Sequence, residues 1–114
     1  MIRVKVSPKN ITVKGHAMFD DYGRDIVCSS VSSIVTTSVN AILSFNKDAI
    51  RYTVSEGLVN IDILECDETT NKLIENMIRV LSDLSEDYPK NIKVEREWNY
   101  EGIHEVKYTT LRTR

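Results

Sequence analysis

The sequence predicts an α+β two-layer sandwich in which two helices pack on one face of a mostly antiparallel sheet of five or six strands. Short segments with alternating apolar and polar residues recur along the chain, and two long stretches with helical apolar spacing separate them, which gives the order ββ-α-ββ-α-β. A chain of 114 residues without an internal linker is expected to form a single domain over residues 1–114.

The strand-like segments form two predicted hairpins and a later strand. The predicted strands cover residues 2–6, 11–17, 50–54, 58–65 and 91–98. Ser7-Pro8-Lys9-Asn10 supplies the turn of the first hairpin, and Glu56-Gly57 supplies the turn of the second. The tail from 99 to 114 has no compelling period, so it either adds a strand or frays.

Two helices are predicted between the strands. The first runs from Ile26 to Phe45 with Asp25 as its N-cap, and its apolar residues fit a helical stripe. Its many serines and threonines have poor helix propensity, which leaves a strand as the alternative, but this segment is too long for one strand. The second helix covers residues 68–87, with Asp67 as its cap.

Composition limits the classes of function. The net charge of −2 gives the chain no overall attraction to nucleic acid or to an anionic membrane. No apolar run approaches the ~20 residues needed to span a bilayer, and the N-terminus lacks the apolar block of a signal peptide. We therefore expect a cytoplasmic protein in which both cysteines, Cys28 and Cys66, are free thiols.

One pair of residues suggests chemistry. His16 ends a predicted strand, and Cys28 follows twelve residues later, at the third position of the predicted helix, after a polar loop over residues 18–24. A helix N-terminus presents unpaired N–H groups and a partial positive charge, which favour a thiolate and could stabilise an oxyanion. A neighbouring imidazole would act as the general base.

Three further residues belong to this candidate site. Gly15 adds no side chain, so a substrate backbone could approach it closely. Asp25 either caps the helix or orients His16. Ser32 lies one turn after Cys28 on the same helix face and either hydrogen-bonds near the thiol or fills a contact. The alternative is that Cys28 is only a small buried apolar residue.

The remaining candidates point to structure rather than chemistry. We interpret Cys66 as structural and His104 as a surface residue. The cysteines and histidines fall short of the four ligands of a structural zinc site, and we find no phosphate-binding glycine loop, so no metal and no cofactor is expected. The first hairpin is basic, and its lysines and arginine are expected to form a solvated strand face.

The segment around Cys28 resembles a known family. Gly15-His16-Ala17, followed by Tyr22-Gly23-Arg24-Asp25-Ile26-Val27-Cys28, is similar to the signature of the bacterial ribosomal-processing cysteine proteases, the Prp or YsxB-like family. The family pattern is Gly-His-Ala, a short loop and Gly-x-Asp-Ile-Val-Cys, usually with two alanines after it. Here Ser29 and Ser30 replace those alanines, a departure that concerns packing more than chemistry. Length and element order agree over the whole chain, whereas the specific match covers residues 15–32.

This resemblance implies an activity and a set of roles. Family members remove a short N-terminal extension from the precursor of the twenty-seventh protein of the large ribosomal subunit, after a hydrophobic motif containing a phenylalanine. Cys28 would be the nucleophile, His16 the general base, and Asp25, Ser32 and Gly15 supporting residues. The resemblance also implies a homodimer that needs neither a membrane nor direct contact with nucleic acid.

Two other classes of function remain open at this point. One is a ribosome-associated binding module whose thiol is not catalytic, which only the basic first hairpin favours. The other is a thiol hydrolase acting on small molecules.

Overall fold

Eight elements make up the part of the chain that the computed structural model describes, which covers residues 1–15, 22–99 and 106–110. In order they are β1 (Ile2–Ser7), β2 (Asn10–Lys14), α1 (Tyr22–Phe45), β3 (Ile50–Ser55), β4 (Leu58–Ile63), α2 (Glu68–Asp87), β5 (Ile92–Asn99) and β6 (Val106–Thr110). The predicted order is confirmed, and the tail adds the strand β6.

The six strands form one sheet in the order β3-β4-β2-β1-β5-β6. Neighbouring strands are antiparallel except β1 and β5, which run parallel. Both predicted hairpins form, with Ser7 paired to Asn10 and Ser55 paired to Leu58 across two-residue turns. The predicted α+β class with a mostly antiparallel sheet is confirmed.

The core lies between one face of the sheet and the two helices. Alternate residues of β1 and β2 point into it, so that Val4 and Ile11 are fully buried while Arg3 and Lys5 are exposed on the opposite face. The helices contribute Val27 and Leu81, among others, to the same cluster, and each such side chain stabilises the fold by about 1.5–3 kcal/mol through removal of apolar surface from water.

Several predicted strand limits differ from the structure by one to three residues. The second strand was predicted over 11–17, but β2 ends at Lys14. The strand predicted over 58–65 ends at Ile63, and the one predicted over 91–98 runs from Ile92 to Asn99. The β2 strand ends early because Gly15 adopts a positive φ of 106°, which extended strands do not accommodate.

The first helix begins earlier than predicted. Asp25 was expected at the N-cap after a loop over 18–24, but α1 already starts at Tyr22, and Asp25 is its fourth residue. An acidic residue in the first turn complements the partial positive charge of the helix N-terminus. The same residue type therefore suits the cap and the first turn, and the sequence pattern could not separate the two positions.

Helix α1 also changes one expectation about membranes. By length and composition alone, Ile26–Phe45 could cross a bilayer, contrary to the expectation that no apolar run comes close. Its buried residues follow helical spacing and face the core: Val27, Val31, Val35, Val39 and Ile42. The core helix of a globular domain passes the same test of length and composition.

Helix α2 has the predicted cap. The Asp67 carboxylate accepts a hydrogen bond from the Thr70 backbone N–H at 2.7 Å, and Asn46 donates to the same carboxylate at 3.2 Å. Both contacts lower the pKa of Asp67 from its ordinary value of 3.8, and the hydrogen bond from the Thr70 N–H has the larger effect. At the other end, the Tyr88 N–H donates to Leu84 O at 2.9 Å, and Pro89 follows.

Candidate active site

Cys28 lies in a groove of about 290 Å³ between helix α1 and the β3–β4 hairpin. The helix contributes one wall through residues spaced four apart, Cys28, Ser32 and Thr36. The hairpin contributes the facing wall with Tyr52 and Val54. The thiol is half-buried and forms no disulfide, so it is available to a molecule that enters the groove.

The orientation of Cys28 follows from the apolar stripe beside it. Val27 and Val31 are buried in the core, which fixes the rotation of α1 about its axis. Cys28 is next along the helix from Val27, so its side chain emerges at the edge of the core on the side of β3 rather than within it. Cys28, for which the sequence allows either a small buried apolar residue or a nucleophile, therefore lies at the boundary between core and solvent.

The predicted position of Cys28 in the first turn of the helix is wrong. The prediction placed Cys28 at the third helical position, whereas α1 starts at Tyr22 and Cys28 is about two turns inside it. The field of a helix terminus falls off within the first turn, and the unpaired N–H groups belong to the first four residues. Cys28 therefore lies beyond the first turn of α1, to which that field and those N–H groups are confined.

His16, the predicted base, lies outside the described residues, and so does the side chain of Asp25. Ser32 is exposed and lines the groove one turn beyond Cys28, which is the position predicted for it. Gly15 borders the same groove from the end of β2.

Gly15 has a structural role that its place in the strand pattern did not predict. Its N–H donates to Gly57 O at 2.9 Å, which holds the end of β2 against the β3–β4 turn. A Cβ at this position would lie 2.5 Å from the Met1 carbonyl oxygen, closer than two such atoms can approach. The close neighbour at Gly15 is thus the chain's own first residue.

The other candidate residues lie apart from the groove or outside the description. Cys66, interpreted as structural, is exposed in the segment before α2, where its Sγ donates to Asn71 Oδ1 at 3.9 Å. His104 lies outside the described residues. Within the described ranges, no group of three histidine, cysteine or acidic residues could hold a metal ion.

The sequence does not predict the apolar wall of the groove. Tyr52 and Val54 alternate with polar residues in the strand predicted over 50–54, which indicates a covered apolar face, but β3 is the outermost strand of the sheet, and Val54 is 61% exposed. An outer strand has a neighbour on one side only, so its apolar face is covered incompletely. The sequence contains no signal for strand order, and this exposure could not be read from it.

A second hollow, of about 580 Å³, lies on the other face of the sheet and is basic. It is lined by Met1, Arg3, Lys5, Thr12, Lys14, Gly15 and Leu58. Strand pairing sets Arg3 directly opposite Lys14, and like charges in that arrangement repel. Gly15 and Leu58 line both the hollow and the groove, at the end of the sheet where its two faces meet.

A free thiol in a largely apolar groove of a small α+β domain is compatible with a thiol peptidase. The sequence profile of the family described as cysteine protease Prp matches residues 1–93. The chain belongs to this family and is a cysteine protease.

Relatives and solved structures agree with this assignment. The ribosomal processing cysteine protease Prp of Mycoplasma genitalium is 31% identical over 99 residues, which cover 85% of this chain and 97% of the relative. The protein of the same name from Bacillus subtilis is 33% identical over 89 residues, which cover 70% and 78%.

The fold matches a solved structure of the S. aureus ribosomal processing protease Prp in complex with a covalently linked product peptide. The TM-score is 0.76 at 25% identity, with 84% of this chain and 99% of that chain covered. A second structure of that protease, in complex with a substrate peptide, has a TM-score of 0.78 at 24% identity over the same shares and supports the fold.

Proposed function

We propose that this chain is a ribosomal-processing endopeptidase that removes the N-terminal extension of a large-subunit ribosomal protein precursor, the twenty-seventh. The observation that carries the proposal is the half-buried Cys28 in a groove whose other wall is apolar. Relatives named as ribosomal processing cysteine proteases support this substrate class. A hydrophobic recognition motif, as implied by the family resemblance, suits a groove lined by Tyr52 and Val54.

In the proposed mechanism His16 takes the proton from the Cys28 thiol, and the sulfur attacks the carbonyl carbon of the scissile peptide bond. A new C–S bond forms, and the carbonyl π electrons move to oxygen to give a tetrahedral oxyanion. When this intermediate collapses, the C–N bond breaks and His16 protonates the leaving amine. Water then attacks the thioester, with His16 as the base, and releases the carboxylate and the thiol.

The contiguity of Gly15 with the groove supports His16 as the base. Gly15 lines the groove that contains Cys28, and His16 is bonded directly to Gly15. Since α1 supplies no terminal field at Cys28, the thiolate depends on that imidazole. Asp25 and Ser32 are proposed as supporting residues, Asp25 from the first turn of α1 and Ser32 from the groove wall.

The test is cleavage of a peptide that spans the extension junction of that precursor. We expect one cut, detected by mass spectrometry, with the wild-type chain and with Cys66→Ala, which removes the other thiol. We expect no cut with Cys28→Ala, and nearly none with Cys28→Ser because a hydroxyl lacks the acidity of a thiol. Equal cleavage by Cys28→Ala, or none by the wild type, would contradict the proposal.

We also propose that the protein acts in the cytoplasm as a homodimer, as the family resemblance implies. Light scattering on the purified chain measures the oligomeric state, and a monomeric mass at micromolar concentration would contradict the dimer. Fractionation of cells that express the chain tests its location, with recovery in the membrane pellet as the contrary result.

A further inference from the structure

The outer edge of β3 has free backbone groups. This strand ends the sheet, so no described strand pairs with its outer side. Ser55 and Leu58 flank the two-residue turn of the β3–β4 hairpin, and residues in that position exchange both of their backbone hydrogen bonds. Because bonded and unbonded pairs alternate along antiparallel strands, Thr53 is bonded to β4 in the same way, while the N–H and C=O of Tyr52 and Val54 point outward.

Hydrogen bonds on the other side of β4 agree with this assignment. The Ile63 N–H donates to Lys9 O at 2.9 Å, and Gly57 O accepts from the Gly15 N–H at 2.9 Å. The odd-numbered residues of β4 therefore face β2, and the even-numbered residues face β3. The outward direction of the backbone groups of Tyr52 and Val54 follows from this pairing.

The side chains of the same two residues face the groove of Cys28. Tyr52 and Val54 line it, and Val54 is 61% exposed although it is apolar. A bare strand edge and an exposed apolar side chain are both features that folded proteins usually cover. Here they occur together, opposite the thiol of Cys28.

We propose that the peptide substrate binds in extended form as an additional strand on the outer edge of β3. This rests on the proposed function and adds the mode of substrate recognition. Backbone groups of the peptide bond to those of Tyr52 and Val54, and its alternate apolar side chains enter the groove toward Cys28. In strand addition, main-chain hydrogen bonds supply affinity, and pockets for alternate side chains supply specificity.

The first test uses the wild-type chain and a series of junction peptides that each carry one backbone N-methyl group. A methylated nitrogen cannot donate a hydrogen bond and clashes with a neighbouring strand. Within the segment that pairs with β3, we expect the effect of methylation to alternate along the peptide. Methylation at every second residue lowers kcat/KM at least about tenfold, whereas methylation at the residues between them changes kcat/KM by no more than about threefold. A series without this alternation overturns the proposal.

The second test compares Val54→Pro with Val54→Thr. Proline removes an N–H that makes no bond to β4, so the hairpin is retained, as proline is tolerated at the free side of an edge strand. We expect the KM of Val54→Pro to exceed that of Val54→Thr about tenfold with little difference in kcat, because both variants change the side chain but only proline removes the N–H. Equal KM for the two variants, both with unchanged circular dichroism, overturns the proposal.

Binding to Cys28→Ala, measured by fluorescence anisotropy of the labelled peptides, separates this proposal from the proposed function. If methylation weakens binding at every second residue but the wild type cleaves no peptide, strand addition is supported and the proposed substrate is contradicted. If the peptides are cleaved but the effect of methylation does not alternate, the proposed substrate is supported and strand addition is overturned. A peptide that is neither bound nor cleaved contradicts both.

Discussion

At the scale of single residues, the two thiols of this chain differ in what surrounds them. Cys28 is half-buried against apolar side chains in a groove, and Cys66 is exposed in the segment before α2. Since both react with alkylating reagents, the Cys66→Ala variant is the background in which Cys28 can be followed alone.

In that background we expect His16→Ala to slow the alkylation of Cys28 by iodoacetamide at pH 7 at least about tenfold. The thiolate is the reactive form, and the imidazole is proposed to generate it. Mass spectrometry over time measures the rate, and Lys14→Ala serves as the control for a change in the same stretch of chain. Equal rates with and without His16 would contradict the dyad.

Gly15→Ala is expected to destabilise the fold by about 1–3 kcal/mol. The residue has φ 106°, and the added carbon would lie 2.5 Å from the Met1 carbonyl oxygen. Gly57→Asn is the matched control, since φ 70° at that position is one that asparagine adopts more readily. Urea denaturation measures both, and a smaller loss for Gly15→Ala than for Gly57→Asn would contradict the account.

At this scale the sequence identified candidate residues but not the contacts that they make. A histidine and a cysteine on either side of a short loop could be recognised in the sequence, and Cys28 does lie in a groove. The reason for Gly15 was not visible, because its close neighbour, Met1, is distant from it in the sequence. Likewise, the alternation along β3 predicts a core position for Val54. Alternation indicates which face of the sheet a side chain is on, but not how completely other side chains cover that face.

At the scale of elements, the cap of α2 makes the stability of this helix depend on pH. The pKa of Asp67 is lowered below 3.8 by the Thr70 N–H and by Asn46, so the carboxylate stabilises the fold above pH 3.8. That stabilisation is lost as the pH falls through the folded-state pKa.

We therefore expect Asp67→Ala to lower the melting temperature at pH 7, and this difference to disappear in acid below the folded-state pKa. Asp67→Asn keeps a capping side chain that does not titrate, so its melting temperature should lie close to wild type at pH 7. Thermal melts across pH measure both. A difference for Asp67→Ala that is independent of pH would show that the carboxylate charge contributes nothing.

The first hairpin carries a repulsion that salt should relieve. Arg3 and Lys14 are directly opposite across β1 and β2, and like charges in this arrangement destabilise a sheet by about 0.2–1 kcal/mol. We expect Lys14→Thr to raise the urea midpoint at low ionic strength, and the gain to shrink in 1 M salt as charges are screened. A gain that does not change with salt would point to strand propensity instead.

The elements themselves were largely predictable, whereas their arrangement was not. Alternation and capping residues located both hairpins and α2, because each depends on neighbours in sequence. The start of α1 was placed four residues late, since an acidic residue suits either the cap or the first turn. The order β3-β4-β2-β1-β5-β6 depends on contacts between distant strands, which local patterns do not encode.

At the scale of the whole molecule, β3, which lines the groove, and β6 form the two opposite edges of the sheet. The family match ends at residue 93, and the buried apolar residues among those described extend from Ile2 to Val94. Among the described residues, the core and the groove are thus built by residues up to Val94.

We expect truncation after Asn99 to leave a cooperatively folded chain that still cleaves the junction peptide, with a lower melting temperature because β5 loses its outer neighbour. If residues 1–114 form one domain, the full chain should also melt in a single transition. Circular dichroism and the cleavage assay measure these outcomes. Loss of the cooperative transition on truncation would show that β6 belongs to the core of the fold.

The contact between Gly15 and Met1 has a practical consequence for handling the protein. The first residue of the sequence lies against Gly15, which borders the groove of Cys28. An affinity tag fused ahead of Met1 would start next to this glycine, and we expect it to compete with an incoming peptide for the same space. Purification handles therefore belong at the C-terminus, and a protease built this way should be assayed only after an N-terminal tag has been removed.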